Sequence, residues 1–98
     1  MSRFRFSEKA AEDLEQIDDY LSAEAGDDVA EQVVARILAA CDLLATQPGM
    51  GHRREDLTED DVRFWPVYSY LIVYREGAPL DVVRIWSARQ DPRKLALK

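Results

Sequence analysis

The hydrophobic period of this chain is helical through most of its first half and strand-like through its second, and that contrast limits the available folds more than any other feature. Between residues 7 and 47 apolar side chains return every three or four positions, the spacing of one helix face. From residue 62 the chain is rich in β-branched and aromatic residues broken by short turns, the signature of strands. In the first stretch Ala10, Leu14, Ile17 and Leu21 make a narrow stripe, and Ser7 offers a capping oxygen ahead of Glu8, Glu12 and Asp13. This predicts a helix ending near Glu24, with Ala25-Gly26 as its stop. Asp28 and Glu31 have the spacing of a capping box and predict a second helix from there to Pro48-Gly49. Its apolar arc holds Ala30, Val33, Val34, Ile37, Leu38, Cys41, Leu44 and Ala45, whereas Leu43 falls outside it, either as a lone exposed leucine or as a partner contact.

A short link between the helices implies an antiparallel hairpin. Ahead of it, Arg3-Phe4-Arg5-Phe6 alternates as a half-buried strand does. Behind it lie three predicted strands, residues 62–67, 71–75 and 80–86, joined by turns at Tyr68-Ser69-Tyr70 and Glu76-Gly77-Ala78-Pro79. Pro66 has no amide hydrogen and belongs on a sheet edge, a strand end or a bulge. The expected fold is α+β, β-α-α-β-β-β, an antiparallel sheet with the helical hairpin packed on one face and the other face open. At 98 residues the chain is expected to form a single domain spanning 1–98.

Its 47% hydrophobic and 33% charged residues suit a folded protein and exclude a disordered one. The N-terminus lacks the apolar core of a secretory signal, and no apolar run is long enough for a membrane span, so the expected compartment is the cytoplasm with no membrane partner. With one cysteine, Cys41, and one histidine, His52, neither a structural metal nor a cofactor is implied. Cys41 reads as a small buried hydrophobe rather than a reactive thiol, and His52 as a solvent-exposed loop residue rather than a catalytic one.

The formal net charge of −6 hides an asymmetry. Residues 8–31 carry ten acids against Lys9 alone, whereas residues 62–98 carry seven Lys or Arg against Glu76, Asp81 and Asp91. The basic half is the better candidate for an anionic partner, and the acidic helices make direct DNA contact by this chain unexpected. Trp65 and Trp86 read either as core or as binding anchors, since tryptophan is enriched at interface hot spots.

Five segments then carry a resemblance over nearly the whole chain. They are the first strand with Ser7-Glu8-Lys9-Ala10-Ala11-Glu12-Asp13-Leu14, then Pro48-Gly49-Met50-Gly51, Val62-Arg63-Phe64-Trp65-Pro66-Val67, Tyr70-Leu71-Ile72-Val73-Tyr74-Arg75, and Ile85-Trp86-Ser87-Ala88-Arg89-Gln90-Asp91-Pro92. In their order and spacing they resemble the RelE/ParE toxin superfamily of type II toxin–antitoxin systems. The resemblance implies a toxin neutralised by a cognate antitoxin, in a complex expected to be a heterotetramer that touches DNA only through the antitoxin. RelE-like members cut mRNA in the ribosomal A site without a metal; ParE-like members inhibit DNA gyrase and have no established hydrolytic chemistry.

The residues favour the ParE-like branch. Strand arginines stay protonated and make poor general bases, and Tyr68, Tyr70 and Tyr74 would need strong tuning to act as one. The tail from Arg93 to Lys98 lacks the late tyrosine or histidine of many RelE-like nucleases, and an acidic chain is poorly suited to a polyanion. Arg63, Arg75, Arg84 and Arg89, with the tail, are the expected toxic surface; Trp65, Trp86, Tyr70 and Leu43 are the expected antitoxin contacts. No catalytic residue is assigned. The alternatives are a ribosome-dependent, metal-independent mRNA endoribonuclease and a non-toxic member that only binds its antitoxin.

Overall fold

Each change of hydrophobic period becomes an element boundary. The computed structural model describes residues 3–87, which form β1 (Phe4–Phe6), α1 (Glu8–Ala25), α2 (Asp27–Thr46), a single 3-10 turn at Pro48–Met50, β2 (Arg63–Val67), β3 (Tyr70–Arg75) and β4 (Leu80–Ser87). Ser7 caps α1, its hydroxyl oxygen accepting from the Ala10 amide at 3.0 Å. The link between the helices is Gly26 alone. At φ 93° it donates its amide to Ser22 O (3.2 Å), closing α1, while its carbonyl accepts from the Ala30 amide (3.1 Å), opening α2. Asp28 and Glu31 therefore do not form the expected capping box: α2 starts at Asp27 with no side-chain cap, because one shared glycine serves both helix ends.

The meander of β2, β3 and β4 is antiparallel as expected. The sheet as a whole is mixed, in the order β1-β4-β3-β2, because β1 adds parallel to β4 with Phe4 opposite Leu80 and Phe6 opposite Val82. Pro66 sits in edge strand β2, where a missing amide costs no ladder bond. Tyr70, expected in the β2–β3 turn, is the first residue of β3 and pairs with Val67, so the turn shortens to Tyr68-Ser69.

Two apolar clusters lie on opposite sides of the sheet. The larger joins Ile17 of α1 and Ile37, Cys41 and Leu44 of α2 to Ile72, Tyr74, Val82 and Ile85. The smaller gathers Val62, Phe64, Val73 and Trp86, with Leu57 and Leu71 packed against it. The face away from the helices is thus only partly open, because the segment before β2 brings Leu57 and Val62 onto it. Among the described residues no helix is long and apolar enough to cross a membrane.

Cys41 is fully buried, as its position on the apolar arc implied. Burial pushes its thiol from an ordinary value of 9.0 up to about 12, because desolvation disfavours the thiolate. The unfolded chain loses this proton first, so the thiol's contribution is intact below pH 9 and is lost as pH climbs towards 12. Urea unfolding of the wild type and Cys41→Ala at pH 8.5 and pH 10.5 should therefore show the wild type's advantage shrinking by about 1–2 kcal/mol at the higher pH. An unchanged difference would show that the thiol's protonation does not contribute.

Candidate functional site

The position of each candidate side chain follows from how α1 meets β4. Because β1 ends opposite Val82, the outer edge of β4 has no strand partner beyond that point. Helix α1 closes it. The Ser7 amide donates to Val82 O (2.9 Å) and the Ser7 hydroxyl to Val83 O (2.8 Å). Nearly two turns further on, the Asp13 carboxylate accepts from the Ile85 amide at 3.0 Å and from Arg84 Nε and Nη2 at 2.7 and 3.1 Å. The two ion-pairing side chains are 13% and 14% exposed, so the bidentate pair is largely shielded from water.

The four arginines expected on one toxic surface are divided by this arrangement. Arg84 is committed to α1 and also lies 5.3 Å from the centre of the Trp86 ring. Arg63 opens β2 and Arg75 ends β3; with Arg53 they line a polar hollow of 380 Å³ at one corner of the sheet. Two carboxylates, Asp61 and Glu76, share that hollow. Arg63 donates to Gly51 O at 3.0 Å and lies 3.6 Å from Glu76, and Arg53 lies 3.1 Å from Asp61. Arg89 lies outside the described residues.

Tyr74, also at this corner, is fully buried and structurally engaged. Its hydroxyl donates to Pro48 O at 2.6 Å and accepts from the Gly51 amide at 2.9 Å, tying the loop after α2 to the sheet. Burial raises its ionisation above the ordinary tyrosine value, which moves it further from use as a base. A Cβ at position 51 would collide with this hydroxyl, so glycine is required there by close approach. His52 is exposed and pairs through its backbone with Phe64, N–H to O at 3.0 and 2.8 Å.

The expected antitoxin contacts are also placed differently from one another. Leu43 is 46% exposed on α2 and Trp65 is half-buried on β2. Trp86 and Tyr70 are 7% and 9% exposed, each within an apolar cluster. The Trp86 indole N–H is buried with no acceptor among the described residues. Tyr70 also borders an open groove of 440 Å³ between α1 and the β2–β3 turn.

This order of elements, over most of the chain, agrees with a known family. The description "ParE toxin of type II toxin-antitoxin system, parDE" matches residues 4–92. The chain belongs to the ParE toxin family. A search of the curated proteins finds no match. Among solved structures the toxin is similar in fold to a chain of the chromosomal ParDE toxin–antitoxin system from P. aeruginosa, with a TM-score of 0.72 and 24% identity, covering 89% of this chain and 96% of that one. Membership of a type II system implies a cognate antitoxin as partner.

The groove bears one feature that composition did not signal. Tyr68, 63% exposed at the tip of the β2–β3 turn, has φ 55°, a left-handed conformation that bulky side chains rarely adopt. The Arg36 guanidinium lies 5.6 Å from its ring centre, an exposed contact worth about 0.5–1 kcal/mol. Left-handed backbone costs a non-glycine residue about 1–2 kcal/mol. Tyr68→Gly should therefore keep or slightly raise the urea midpoint of the toxin, and a clear fall would mean that the ring contributes more to folding than its exposure allows.

Proposed function

We propose that this toxin arrests growth by binding DNA gyrase, and that it cuts no nucleic acid. The observation that carries the reading is the mixed charge at the arginine corner, where Arg53 and Arg63 lie beside Asp61 and Glu76 on a chain of net charge −6. Affinity for a polyanion rests on accumulated phosphate contacts, and interleaved carboxylates work against it. A protein surface with charges of both signs is a suitable complement. The buried, doubly bonded Tyr74 hydroxyl supports the same reading, because it is not placed to take a proton from an exposed ribose.

In this reading Arg63 and Arg75, with Arg89 of the tail, contact the target, while Arg84 supports them by holding α1 on β4. The cognate antitoxin is received at Leu43 and Trp65 and at the groove bordered by Tyr70; Trp86 shapes the sheet face beneath. The complex acts in the cytoplasm as a toxin–antitoxin heterotetramer, and touches DNA only through the antitoxin.

A supercoiling assay with purified gyrase tests the proposal. Inhibition should rise with toxin concentration, and Arg63→Ala/Arg75→Ala should weaken it by about tenfold or more, the loss typical of an interface hot spot. Unimpaired supercoiling at high toxin concentration would overturn it. Cleavage of mRNA in the ribosomal A site would point instead to the endoribonuclease, and induction without growth arrest to a member that only binds its antitoxin.

A further inference from the structure

Arginines and carboxylates are unevenly matched at the corner where β2 begins and β3 ends. Arg53, Arg63 and Arg75 line the 380 Å³ hollow with Asp61 and Glu76, and Asp81 lies opposite Arg75 in the register of β3 and β4, with Arg5 beside it. Each carboxylate is already engaged. Asp61 lies 3.1 Å from Arg53 and Glu76 lies 3.6 Å from Arg63, while Asp81 accepts a hydrogen bond from Arg5 Nε. Arg63 is held a second time, through its bond to Gly51 O. Arg75 is the cation left over: among the described residues it has no carboxylate in ion-pair contact, and it acts on Asp81 only as a more distant charge.

A half-buried guanidinium in a polar hollow, with its fork untaken by any acid of the described residues, is prepared for an anionic group from outside. The neighbours decide which group. Asp61, Glu76 and Asp81 surround Arg75, so a second negative charge brought in beside the first meets carboxylates rather than free cations. A nucleic-acid backbone carries its phosphates in a row and binds by accumulating contacts to them. A single carboxylate needs one fork, which a guanidinium matches with two parallel N–H···O bonds. The hollow therefore favours an aspartate or glutamate side chain over a phosphate backbone.

We propose that Arg75 determines the specificity of the toxic surface by receiving one Asp or Glu side chain of the target protein. Arg53 and Arg63, each held by its own acid, act as positioning residues that shape the hollow around it. The proposal rests on the reading that this corner faces the target, and takes that reading to one residue and one chemical group. It does not require the target to be gyrase.

Inhibition of purified gyrase and growth arrest on induction, measured with the same full-length variants, test it. Arg75→Glu should weaken both effects at least about tenfold, and Arg75→Lys should weaken them less, since the charge is kept and the fork lost. Glu76→Gln releases Arg63 and should strengthen both about two- to fivefold, a gain that a merely structural role for the corner does not predict. Unchanged urea midpoints would show that the variants fold. Cells that survive induction with the toxin gene intact should carry a substitution removing an Asp or Glu from a single protein, and a Lys there should restore sensitivity to Arg75→Glu. Growth arrest that follows this order while supercoiling is untouched would support the proposal and remove gyrase as the target. Arrest indifferent to Arg75→Glu, or absent with the wild type, would overturn it. Cleavage of mRNA that depends on Arg75 would assign the residue to a phosphate and overturn it equally.

Discussion

The fold turns on how one carboxylate closes the open edge of a strand. Beyond Val82 strand β4 has lost its partner β1, and its free edge would be open to pairing with another chain. Ser7 and Asp13 occupy it instead, and Asp13 binds both the Ile85 amide and the Arg84 guanidinium. A shielded ion pair adds little net stability over an apolar contact of the same shape, because desolvation offsets the attraction. What it contributes is position: it seats α1, and with it the hairpin, at one register along β4. Removing either partner leaves a charge stranded out of water.

From that seating follows the separation of charges that the functional reading uses. Arg84 is drawn to α1 and so is parted from Arg63 and Arg75, which lie at the far corner, where β2 begins and β3 ends. On another side lies the groove bounded by Tyr20 and Tyr68, with Asp13 in its wall. A ParE toxin thus presents two surfaces of different character from fewer than a hundred residues. Tyr74 fixes the corner from within by holding Pro48 and Gly51, so the loop after α2 is part of the same rigid frame.

Periodicity made most of the frame legible in the sequence. The stripes through Ile17 and Ile37 and the strand runs around Ile72 and Ile85 are core in the structure, since burial is what imposes period on a sequence. Features that depend on two distant segments meeting were not legible. Asp13 reads locally as one more acid in the first turns of a helix; its role exists only because β1 stops short of Ile85. Likewise the parallel partner of a three-residue strand, the placing of Leu57 under the sheet, and the strained turn at Tyr68 carry no local signal. For the site, arginine and tryptophan were readable as residue types, but the division of Arg84 from Arg63 and Arg75 needed the bulge between Val73 and Tyr74 and the approach of α1.

A double-mutant cycle on Asp13→Ala and Arg84→Ala, with unfolding free energies from urea titration, addresses that seating directly. If the carboxylate holds α1 to β4 as described, the two losses are strongly non-additive, with a coupling energy above about 1.5 kcal/mol. Additive effects, with coupling below about 0.5 kcal/mol, would show that the hairpin is positioned by apolar packing alone and would contradict the account.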